Sequence, residues 1–388
     1  MNLPIYLDHN ATTPLDRRVF AAMTPFFLDA FGNAASRGHA FGFRAMRAVD
    51  QARVQVAALL ECEAREIIWT SGATESNNLA IKGVADMYAE RGRHIITQTT
   101  EHKAVLDPCK KLSHQGYDVT FLDPDRTGRV EVEQLAKAIR PDTILVSIMA
   151  ANNEIGTLAP IREIGRLCRE RGAIFHCDAT QAIGKVPIKV EEDCIDLLSM
   201  SGHKLYGPKG CGALYVRKRG PRVRLTPLLD GGGHEQGFRS GTLNVPGIVG
   251  VGAACELAML EMPQESPRLA GLRDRLQAGI LARLDGVTVN GNEDHRLPHV
   301  TNLSFAGVDG EQLLATLTRD LAVSSGSACT SASMEPSYVL RAIGVANDLA
   351  YASVRFSLGQ SNDREQIDFA VETVVESVNR LRGVAIAV

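Results

Sequence analysis

The stretch "IREIGRLCRERGAIFHCD", Ile161–Asp178, contains one complete helix-to-strand unit. Its first eleven residues have the spacing of an amphipathic helix, and Gly172 supplies a helix stop directly after them. Ala173–Cys177 then form a short apolar run that is typical of a buried strand. A similar run, Ile144–Met149, lies upstream of the helix. The order strand, helix, strand predicts a βαβ unit with two parallel strands.

The same alternation continues on both sides of this unit. The further runs that we predict as strands are Ile67–Thr70, His94–Thr97, Asp118–Leu122, Ile195–Met200 and Ala213–Val216. The helices that we predict between several of them are Thr74–Tyr88, Lys103–Gln115 and Val132–Ile139. The pattern predicts an α/β fold, a large domain with a mostly parallel sheet flanked by helices.

The C-terminal part of the chain has a different pattern. A long helical stretch, Val245 to Leu284, precedes "HVTNLSF", a helix from Gly310 to Leu321, "ASVRFSLG" and a closing helix from Arg364 to Arg382. This order predicts a smaller α+β domain that the N-terminal residues join. We predict a large domain at residues 15–260 and a small domain at residues 1–14 and 261–388.

The composition is that of an ordinary globular protein. Of the 388 residues, 45% are hydrophobic and 22% are charged, and the net charge is −3. This charge gives no reason to expect nucleic acid or a membrane surface as a partner. The first residues lack a signal-peptide pattern, and no apolar run reaches the length of a membrane span. We therefore expect a cytoplasmic protein.

The eight cysteines do not form a metal-binding pattern. No CxxC pair occurs, and no cysteine pair lies at zinc-ligand spacing beside a histidine pair, so we predict no metal site. Cys168 and Cys255 lie in helix-like patterns and Cys177 in a strand-like one, which predicts core thiols.

Cys329 is different, because in the stretch "SSGSACTSASMEPSYVLRAIG", Ser324–Gly344, nearly every residue from Ser324 to Ser333 is small. Such a run has little apolar surface to bury, so it predicts an exposed, mobile loop that the small domain carries. Two interpretations remain open at this point. Cys329 is either a chance surface cysteine or a nucleophile that must move.

Two motifs in the large domain suit a phosphate-bearing ligand. "TSGATESNNLA" follows a predicted strand and opens a helix, so the N–H groups of Ser71–Thr74 suit an anion. The alternative is an ordinary helix cap. "DGGGHEQGFRSGTLN" is rich in glycine and ends near Arg239 and Thr242, which are able to reach a phosphate.

Two further motifs supply a carboxylate and an amine. Asp178 ends a buried strand, where α/β sheets bind their ligands, although an N-cap aspartate is the alternative. Lys204 lies in a Ser-Gly-His-Lys turn between two strands, as a nucleophilic amine or as a solvated loop lysine. A phosphate site, a strand-end aspartate and an amine together match the needs of pyridoxal 5'-phosphate.

At this point the sequence resembles a known family. Seven motifs occur in order: "SGATESNN", "TEHKAVL", "NNEIGT", "HCDATQAIGK", "SGHKLYGPKG", "RSGTLN" and the cysteine run that begins at Ser324. Together with "YLDHNATTP" near the N-terminus, they resemble the group I cysteine desulfurases of the NifS/IscS type. These are fold-type I pyridoxal phosphate enzymes of the class V aminotransferase family. The resemblance extends from Tyr6 to Gly359.

The resemblance implies a role for each of twelve residues. Three would be catalytic: Lys204 as the Schiff-base lysine, His102 as the ring-stacking acid/base, and Cys329 as the sulfur acceptor. Arg355 would pair with the substrate carboxylate, and Asn153 would lie near the substrate. The residues implied around the cofactor, with Thr242 coming from the other subunit of a homodimer, are Ala73, Thr74, Asn153, Asp178, Gln181, Ser201, His203, Lys204 and Thr242.

The implied activity is the conversion of L-cysteine to L-alanine, with a persulfide on Cys329. A sulfur-acceptor or iron–sulfur scaffold protein would then receive the sulfur, for iron–sulfur cluster assembly or other sulfur-containing products. A transient iron–sulfur ligand role for Cys329 also stays open. The alternatives are a selenocysteine lyase or a class V aminotransferase, and, from a different class, a non-catalytic iron–sulfur carrier.

Two departures from the family pattern are visible. The chain has "NAAS" at Asn33–Ser36 where members often have Asn-Pro-Ser-Ser, so the entrance to the site is expected to differ slightly. It ends at "RLRGVAIAV", without the longer tail that housekeeping members use to meet their scaffold protein. The identity of the sulfur acceptor is therefore left open.

Overall fold

The computed structural model describes residues 3–325 and 336–383. Within them the strands are β1 Ile5–Tyr6, β2 Ile67–Thr70, β3 His94–Gln98, β4 Asp118–Leu122, β5 Thr143–Ser147, β6 Ile174–Asp178, β7 Leu197–Ser201, β8 Gly212–Val216, β9 Val287–Asn290, β10 Val300–Phe305, β11 Leu321–Ala322 and β12 Ser353–Ser357. The helices are α1 Arg17–Met23, α2 Pro25–Leu28, α3 Ala40–Leu60, α4 Ala73–Met87, α5 Lys103–His114, α6 Val132–Ala138, α7 Ile161–Arg171, α8 Val245–Leu281, α9 Gly310–Leu317, α10 Tyr338–Ala342, α11 Asn347–Tyr351 and α12 Arg364–Leu381.

Seven strands form the main sheet, in the order β2-β8-β7-β6-β5-β3-β4. Strand β8 is antiparallel to both of its neighbours, and the other pairs are parallel. The predicted unit around Ile161–Asp178 is present as β5, α7 and β6, with Gly172 in the left-handed conformation at the helix end (φ 71°). The predicted α/β fold with a mostly parallel sheet is therefore confirmed.

The main sheet is buried on both faces, as parallel sheets generally are. Along β2 the side chains alternate, so Ile67 and Trp69 join one apolar cluster while Ile68 joins another. Because the parallel strands share one direction, their carboxyl ends meet at one edge. Asp178 closes β6 there and Ser201 closes β7, beside the start of β8 at Gly212.

Helix α8 connects this body to a second apolar cluster. Its first half packs Val251 and Cys255 into the core of the main sheet, and its second half packs Leu276 and Ile280 into a core formed with β10, β12 and α12. By length and composition it is the one helix of the described residues that is suited to cross a membrane, and half of its most apolar window is buried in the protein. Its two buried halves identify it as a core helix. The predicted domain boundaries stay a prediction.

The second body contains a three-stranded antiparallel sheet, β12-β10-β9, and the parallel pair β1-β11. Arg355 lies in the middle of β12, opposite Asn302 of β10. The chain after β1 runs along β12, where His9 N donates to Ser357 O at 3.1 Å. It then reaches the main sheet, where Thr13 N donates to His203 O at 3.0 Å. Residues 8–13 therefore bridge β12 and the carboxyl edge of the main sheet.

Candidate active site

Asp178 lies at the carboxyl end of β6 and is only 5% exposed. Its Oδ2 accepts a 2.7 Å hydrogen bond from Asn77 Nδ2 of α4. Its Oδ1 accepts from the Thr180 N–H at 3.0 Å and from the Thr180 hydroxyl at 2.5 Å. Residues 180–185 form turns rather than a helix, so the contact with the Thr180 N–H closes a turn and is not the helix N-cap that the sequence left open as an alternative. The contact with Asn77 adds a donor from another element, so the carboxylate is held from two directions.

The start of α4 lies where the sequence predicts an anion cradle. Its N-cap residue, Gly72, provides no side-chain cap and has φ 144°, a conformation that glycine tolerates. The N–H groups of the first turn, which begins at Ala73 and Thr74, are therefore not satisfied by a capping side chain. A Cβ on Gly72 would lie 3.5 Å from the Ser201 hydroxyl, so the end of β7 faces this turn.

Lys204 lies in a short 3-10 turn, Gly202–Lys204, between β7 and β8. Its ammonium donates to Asn10 O and, at 2.8 Å, to Ala11 O. It is therefore held by the N-terminal segment, which excludes the alternative of a freely solvated loop lysine.

The neighbouring His203 is bound to the same segment. Its Nδ1 lies 3.1 Å from the Thr12 hydroxyl. Burial, with a smaller contribution from the Lys204 charge, lowers the pKa of His203 to about 4. The ring is therefore neutral at physiological pH, and a neutral imidazole carries one N–H donor and one acceptor.

Gln181 and Asn153 approach the same N-terminal segment from the main sheet. Gln181 Nε2 donates to Asn10 O at 3.0 Å. The Asn153 carbonyl accepts from Asn10 Nδ2 at 3.0 Å and from Arg355 Nη1 at 2.9 Å. Among the described residues, the Asn153 side-chain oxygen is buried without a hydrogen-bond partner.

Arg355 is 4% exposed, and its charge is compensated by Asp8. Nη2 donates to Asp8 Oδ1 at 2.7 Å. Nε has no hydrogen-bond partner in the described part of the chain. A buried donor without a partner is costly, so an incoming acceptor such as a carboxylate would be stabilised here.

His102 is the N-cap of α5, where its Nδ1 accepts from the Ala104 N–H at 3.1 Å. The preceding Glu101 is fully buried, and burial together with the nearby Asp178 charge raises its pKa well above the usual range. Thr74 and His102 line one shallow groove between α4 and α5. Thr74, a predicted phosphate ligand, and His102, the predicted acid/base residue, therefore share one opening.

The described residues on either side of the Cys329 segment both contact this site. Ser324 forms a two-way backbone bridge with Arg355, at 2.7 and 3.3 Å. On the far side, Ser337 donates through its hydroxyl to Glu154 Oε2 at 2.5 Å, and the Tyr338 hydroxyl donates to Glu101 O at 2.6 Å. Cys329 and the predicted loop around it lie outside the described residues.

The glycine-rich segment holds Thr242 exposed on the surface of this chain. Arg239, which the sequence offered as a second phosphate ligand, is paired instead with Glu75 of α4, with Nε 2.9 Å from Oε1. Glu75 also accepts from the Ser71 N–H at 2.9 Å. Arg239 therefore contributes to the cradle by holding α4 rather than by pointing a free guanidinium at it.

Four residues with contacts in this site were not predicted individually, since they occur in the sequence only as members of longer motifs. Asp8 and Asn10 belong to "YLDHNATTP", Asn77 to "SGATESNN" and Glu154 to "NNEIGT". Each makes its contact with a residue more than a hundred positions away. Their presence in the motifs was a signal, but their partners were not visible from the pattern.

The other cysteines do not form a second site. In the described residues seven thiols are free, of which Cys62 is half-buried and six are buried. No group of three or more metal-ligating side chains occurs among the described residues. Cys168, Cys177 and Cys255 are core thiols, as predicted.

Comparison with known proteins agrees with this geometry. Residues 5–369 match the family model "Aminotransferase class-V", so the chain belongs to the class V aminotransferase family. It is 58% identical to the cysteine desulfurase IscS of Anaeromyxobacter sp. (strain K), over 98% of this chain and 94% of that protein. It is 55% identical to the cysteine desulfurase IscS of Escherichia coli O139:H28 (strain E24377A / ETEC), over 99% of this chain and 95% of that protein. Within its family the chain is a PLP-dependent cysteine desulfurase, as predicted.

Solved structures support the same assignment. A NifS-like protein superposes with a TM-score of 0.90 at 38% identity, covering 98% of this chain and all of that chain. A structure described as SspA in complex with cysteine gives a TM-score of 0.81 at 40% identity, covering 91% of this chain and 98% of that chain.

Proposed function

We propose that this enzyme holds pyridoxal 5'-phosphate on Lys204, binds L-cysteine through Arg355 and transfers its sulfur to Cys329. The observation that carries the proposal is the convergence of Lys204, Gln181, Asn153 and Arg355 on the single segment 8–11. Two further residues with a proposed role lie nearby: Asp178 ends β6 at the carboxyl edge of the main sheet, and His102 caps the start of α5.

The residues present fit the cofactor. The uncapped first turn of α4 and the Ser201 hydroxyl suit a phosphate, and His203 and Thr74 are further donors. Asp178, held by Asn77 and Thr180, suits the protonated pyridine nitrogen. When bound, pyridoxal 5'-phosphate supplies an electron-accepting ring that weakens the bonds at the substrate Cα. Ala73 and Gln181 complete the proposed set, and Thr242 would come from the partner subunit.

Arg355 and Asn153 would bind and orient the substrate. The buried Nε of Arg355 is the free donor that a carboxylate would accept from, while Asp8 and the Asn153 carbonyl fix the guanidinium plane. The Asn153 side-chain oxygen, which is also buried without a partner among the described residues, would accept from a substrate N–H. His102 would transfer protons near the ring, and the Lys204 amine would take the proton from the substrate Cα.

The sulfur step balances without an added oxidant or reductant. The Cys329 thiolate attacks the substrate sulfur, and an S–S bond forms while the C–S bond breaks. The electron pair of the C–S bond stays with carbon, and a proton completes the methyl group of alanine. L-cysteine and the Cys329 thiol therefore give L-alanine and the Cys329 persulfide.

A homodimer is part of the proposal, and an exposed apolar surface supports it. Helices α1 to α3 and their connections expose a set of large apolar side chains, namely Phe20, Phe27, Leu28, Phe31, Phe41 and Phe43. Leu28 is 73% exposed, and the rings of Phe31 and Phe41 lie 5.3 Å apart. Exposed apolar clusters of this kind mark association surfaces. We call these six residues the aromatic surface.

The cytoplasm is the proposed location, because the seven described cysteines are all unpaired, as expected in a reducing compartment. The proposed recipient of the sulfur is an acceptor or iron–sulfur scaffold protein, by analogy with the IscS relatives.

The test of this function is the product balance with L-cysteine. The purified enzyme with its cofactor should form one alanine for each sulfur transferred, and protein stripped of pyridoxal 5'-phosphate should form none. Transfer of the amino group to a keto acid, without sulfur release, would instead support an aminotransferase.

A further inference from the structure

Asn10 lies between the two halves of the candidate site and has been given no role so far. It is 2% exposed and belongs to the bridging segment 8–13. Its backbone N–H donates to the Ser357 hydroxyl of β12 at 2.9 Å. Its backbone carbonyl accepts from Gln181 at 3.0 Å and from the Lys204 ammonium. The main chain of Asn10 therefore connects β12 with the Lys204 turn.

The side chain of Asn10 faces the other half of the site. Nδ2 donates to the Asn153 carbonyl at 3.0 Å. Oδ1 lies 2.9 Å from Nε2 of His299, a residue that is only 1% exposed. Burial lowers the pKa of His299 far below its usual value, so the ring is neutral and Nε2–H is the donor to Oδ1. Every polar atom of Asn10 is therefore engaged.

The same Asn153 carbonyl binds Arg355, at 2.9 Å from Nη1. Asp8, two residues before Asn10, binds the other terminal nitrogen of Arg355 at 2.7 Å. A chain of contacts thus leads from the Lys204 amine through Asn10 to Asn153 and Arg355. A change in the position of Asn10 would move both ends of this chain relative to each other.

We propose that Asn10 is a positioning residue that sets the spacing between the Lys204 amine and the Arg355 guanidinium. This inference rests on the proposed function, from which it takes the roles of Lys204 and Arg355. The substrate carries its carboxylate and the proton to be removed on one carbon atom, so the guanidinium that binds the carboxylate and the amine that takes the proton must be held at a fixed separation. Misplacement of a positioned group by a small distance is costly in catalysis.

The experiment compares two substitutions at Asn10 with a matched asparagine elsewhere. Asn10→Ala removes both side-chain hydrogen bonds, and Asn10→Ser keeps a shorter hydroxyl donor. The control is Asn292→Ala, since Asn292 bonds Thr127 and the backbone of its own turn, away from the site. For each variant with its cofactor, KM and kcat for L-cysteine, Tm, and the pH midpoint of the visible chromophore are measured.

We expect Asn10→Ala to raise KM about tenfold, the effect of one ordinary hydrogen bond. The chromophore midpoint should shift by about half a pH unit or more, because the Asn10 backbone carbonyl that accepts from Lys204 and Gln181 is no longer held in place by the Asn10 side chain. Asn10→Ser should lie between wild type and Asn10→Ala in both quantities. Asn292→Ala should lower Tm and leave KM and the midpoint unchanged. If Asn10→Ala does not fold, a KM raised about threefold together with a shifted midpoint in Asn10→Ser supports the proposal.

A purely structural role would give a different result. If the Asn10 variants lower Tm as Asn292→Ala does and keep wild-type KM and midpoint, the positioning role is wrong. Failure of the proposed function is recognised separately, by a Lys204→Ala variant that keeps the wild-type chromophore and turnover. That result would overturn both proposals. Asn10 variants with wild-type KM and midpoint, together with a colourless Lys204→Ala, would overturn only the positioning role of Asn10.

Discussion

At the scale of single residues, the site depends on charged groups that are held by backbone atoms. The Lys204 ammonium is bound by two carbonyls, and the Arg355 guanidinium by one carbonyl and Asp8. Fixed partners of this kind keep a flexible side chain in one orientation before the substrate arrives. The two residues therefore allow direct tests.

Lys204→Ala should remove the visible absorption band of the cofactor and abolish alanine formation. The control is Lys185→Met, because Lys185 is buried and burial lowers its pKa to about 8. Lys185 Nζ lies 4.5 Å from the centre of the Tyr206 ring, whereas the Lys204 ammonium binds the carbonyls of Asn10 and Ala11. The control should keep the band. A Lys204→Ala protein with a wild-type spectrum and rate would contradict the assignment.

Arg355→Ala should raise KM for L-cysteine by a factor equivalent to a loss of binding free energy on the order of 2–5 kcal/mol, since it leaves the substrate carboxylate without its buried partner. Arg355→Lys keeps the charge but not the planar pair of donors, so its KM should also rise, by a smaller factor. Initial rates over a range of cysteine concentrations provide the measurement. A wild-type KM in both variants would mean that the substrate carboxylate binds elsewhere.

At the scale of elements, sequence periodicity predicted most of the architecture. Strands β2 and β4 and helix α7 have the predicted bounds, and the ends of the other predicted elements lie within four residues of the prediction. The helix predicted to Leu321 ends at Leu317 instead, because Leu321–Ala322 pair with β1 as a strand. That pairing joins residues more than three hundred positions apart, and local periodicity carries no information about it.

The candidate site also contains features that the sequence predicts and features that it does not. Asp178 and the α4 turn were predicted from their positions after strands, and the resemblance implied the roles of Lys204 and Arg355. The contacts of Asn10 were not predictable, because its partners come from three distant segments that meet only in the folded chain.

Glu154 accepts a hydrogen bond from Ser337, which follows the Cys329 segment in the chain, and its ionisation can be tested. Burial raises its pKa to about 7, against the opposing effects of the Ser337 hydrogen bond and the charges of Arg355, His102 and Lys103. A raised folded-state pKa stabilises the protein at low pH, and this contribution is lost as the pH rises from about 4.5 through 7.

Glu154→Gln keeps an acceptor for Ser337 but does not ionise. It should therefore raise stability at pH 8 relative to wild type, by on the order of 1–3 kcal/mol, and change it little near pH 5. Thermal unfolding at the two pH values measures this, with the exposed Glu63→Gln as the control. An equal shift at both pH values would show that the carboxyl does not titrate in this range.

At the scale of the whole molecule, the aromatic surface is an exposed apolar feature that a single chain does not explain. In a homodimer it would be buried, and Thr242 of the partner subunit would complete the phosphate site. Phe31→Asp places a charge in the middle of this surface and should shift sedimentation toward the monomer. Met87→Gln, at an exposed apolar residue outside the surface, should leave the dimer intact. A fully active monomer in wild type would exclude the shared site.

The central claim is that sulfur passes from L-cysteine to Cys329, and whole-protein mass spectrometry with peptide mapping tests it most directly. After incubation with L-cysteine, the wild-type chain and Cys62→Ser should each gain the mass of one sulfur atom on the peptide that contains Cys329. Cys329→Ser should bind L-cysteine and change its visible spectrum, yet gain no sulfur and release little alanine. Full alanine production by Cys329→Ser, or a persulfide on another cysteine, would contradict the account.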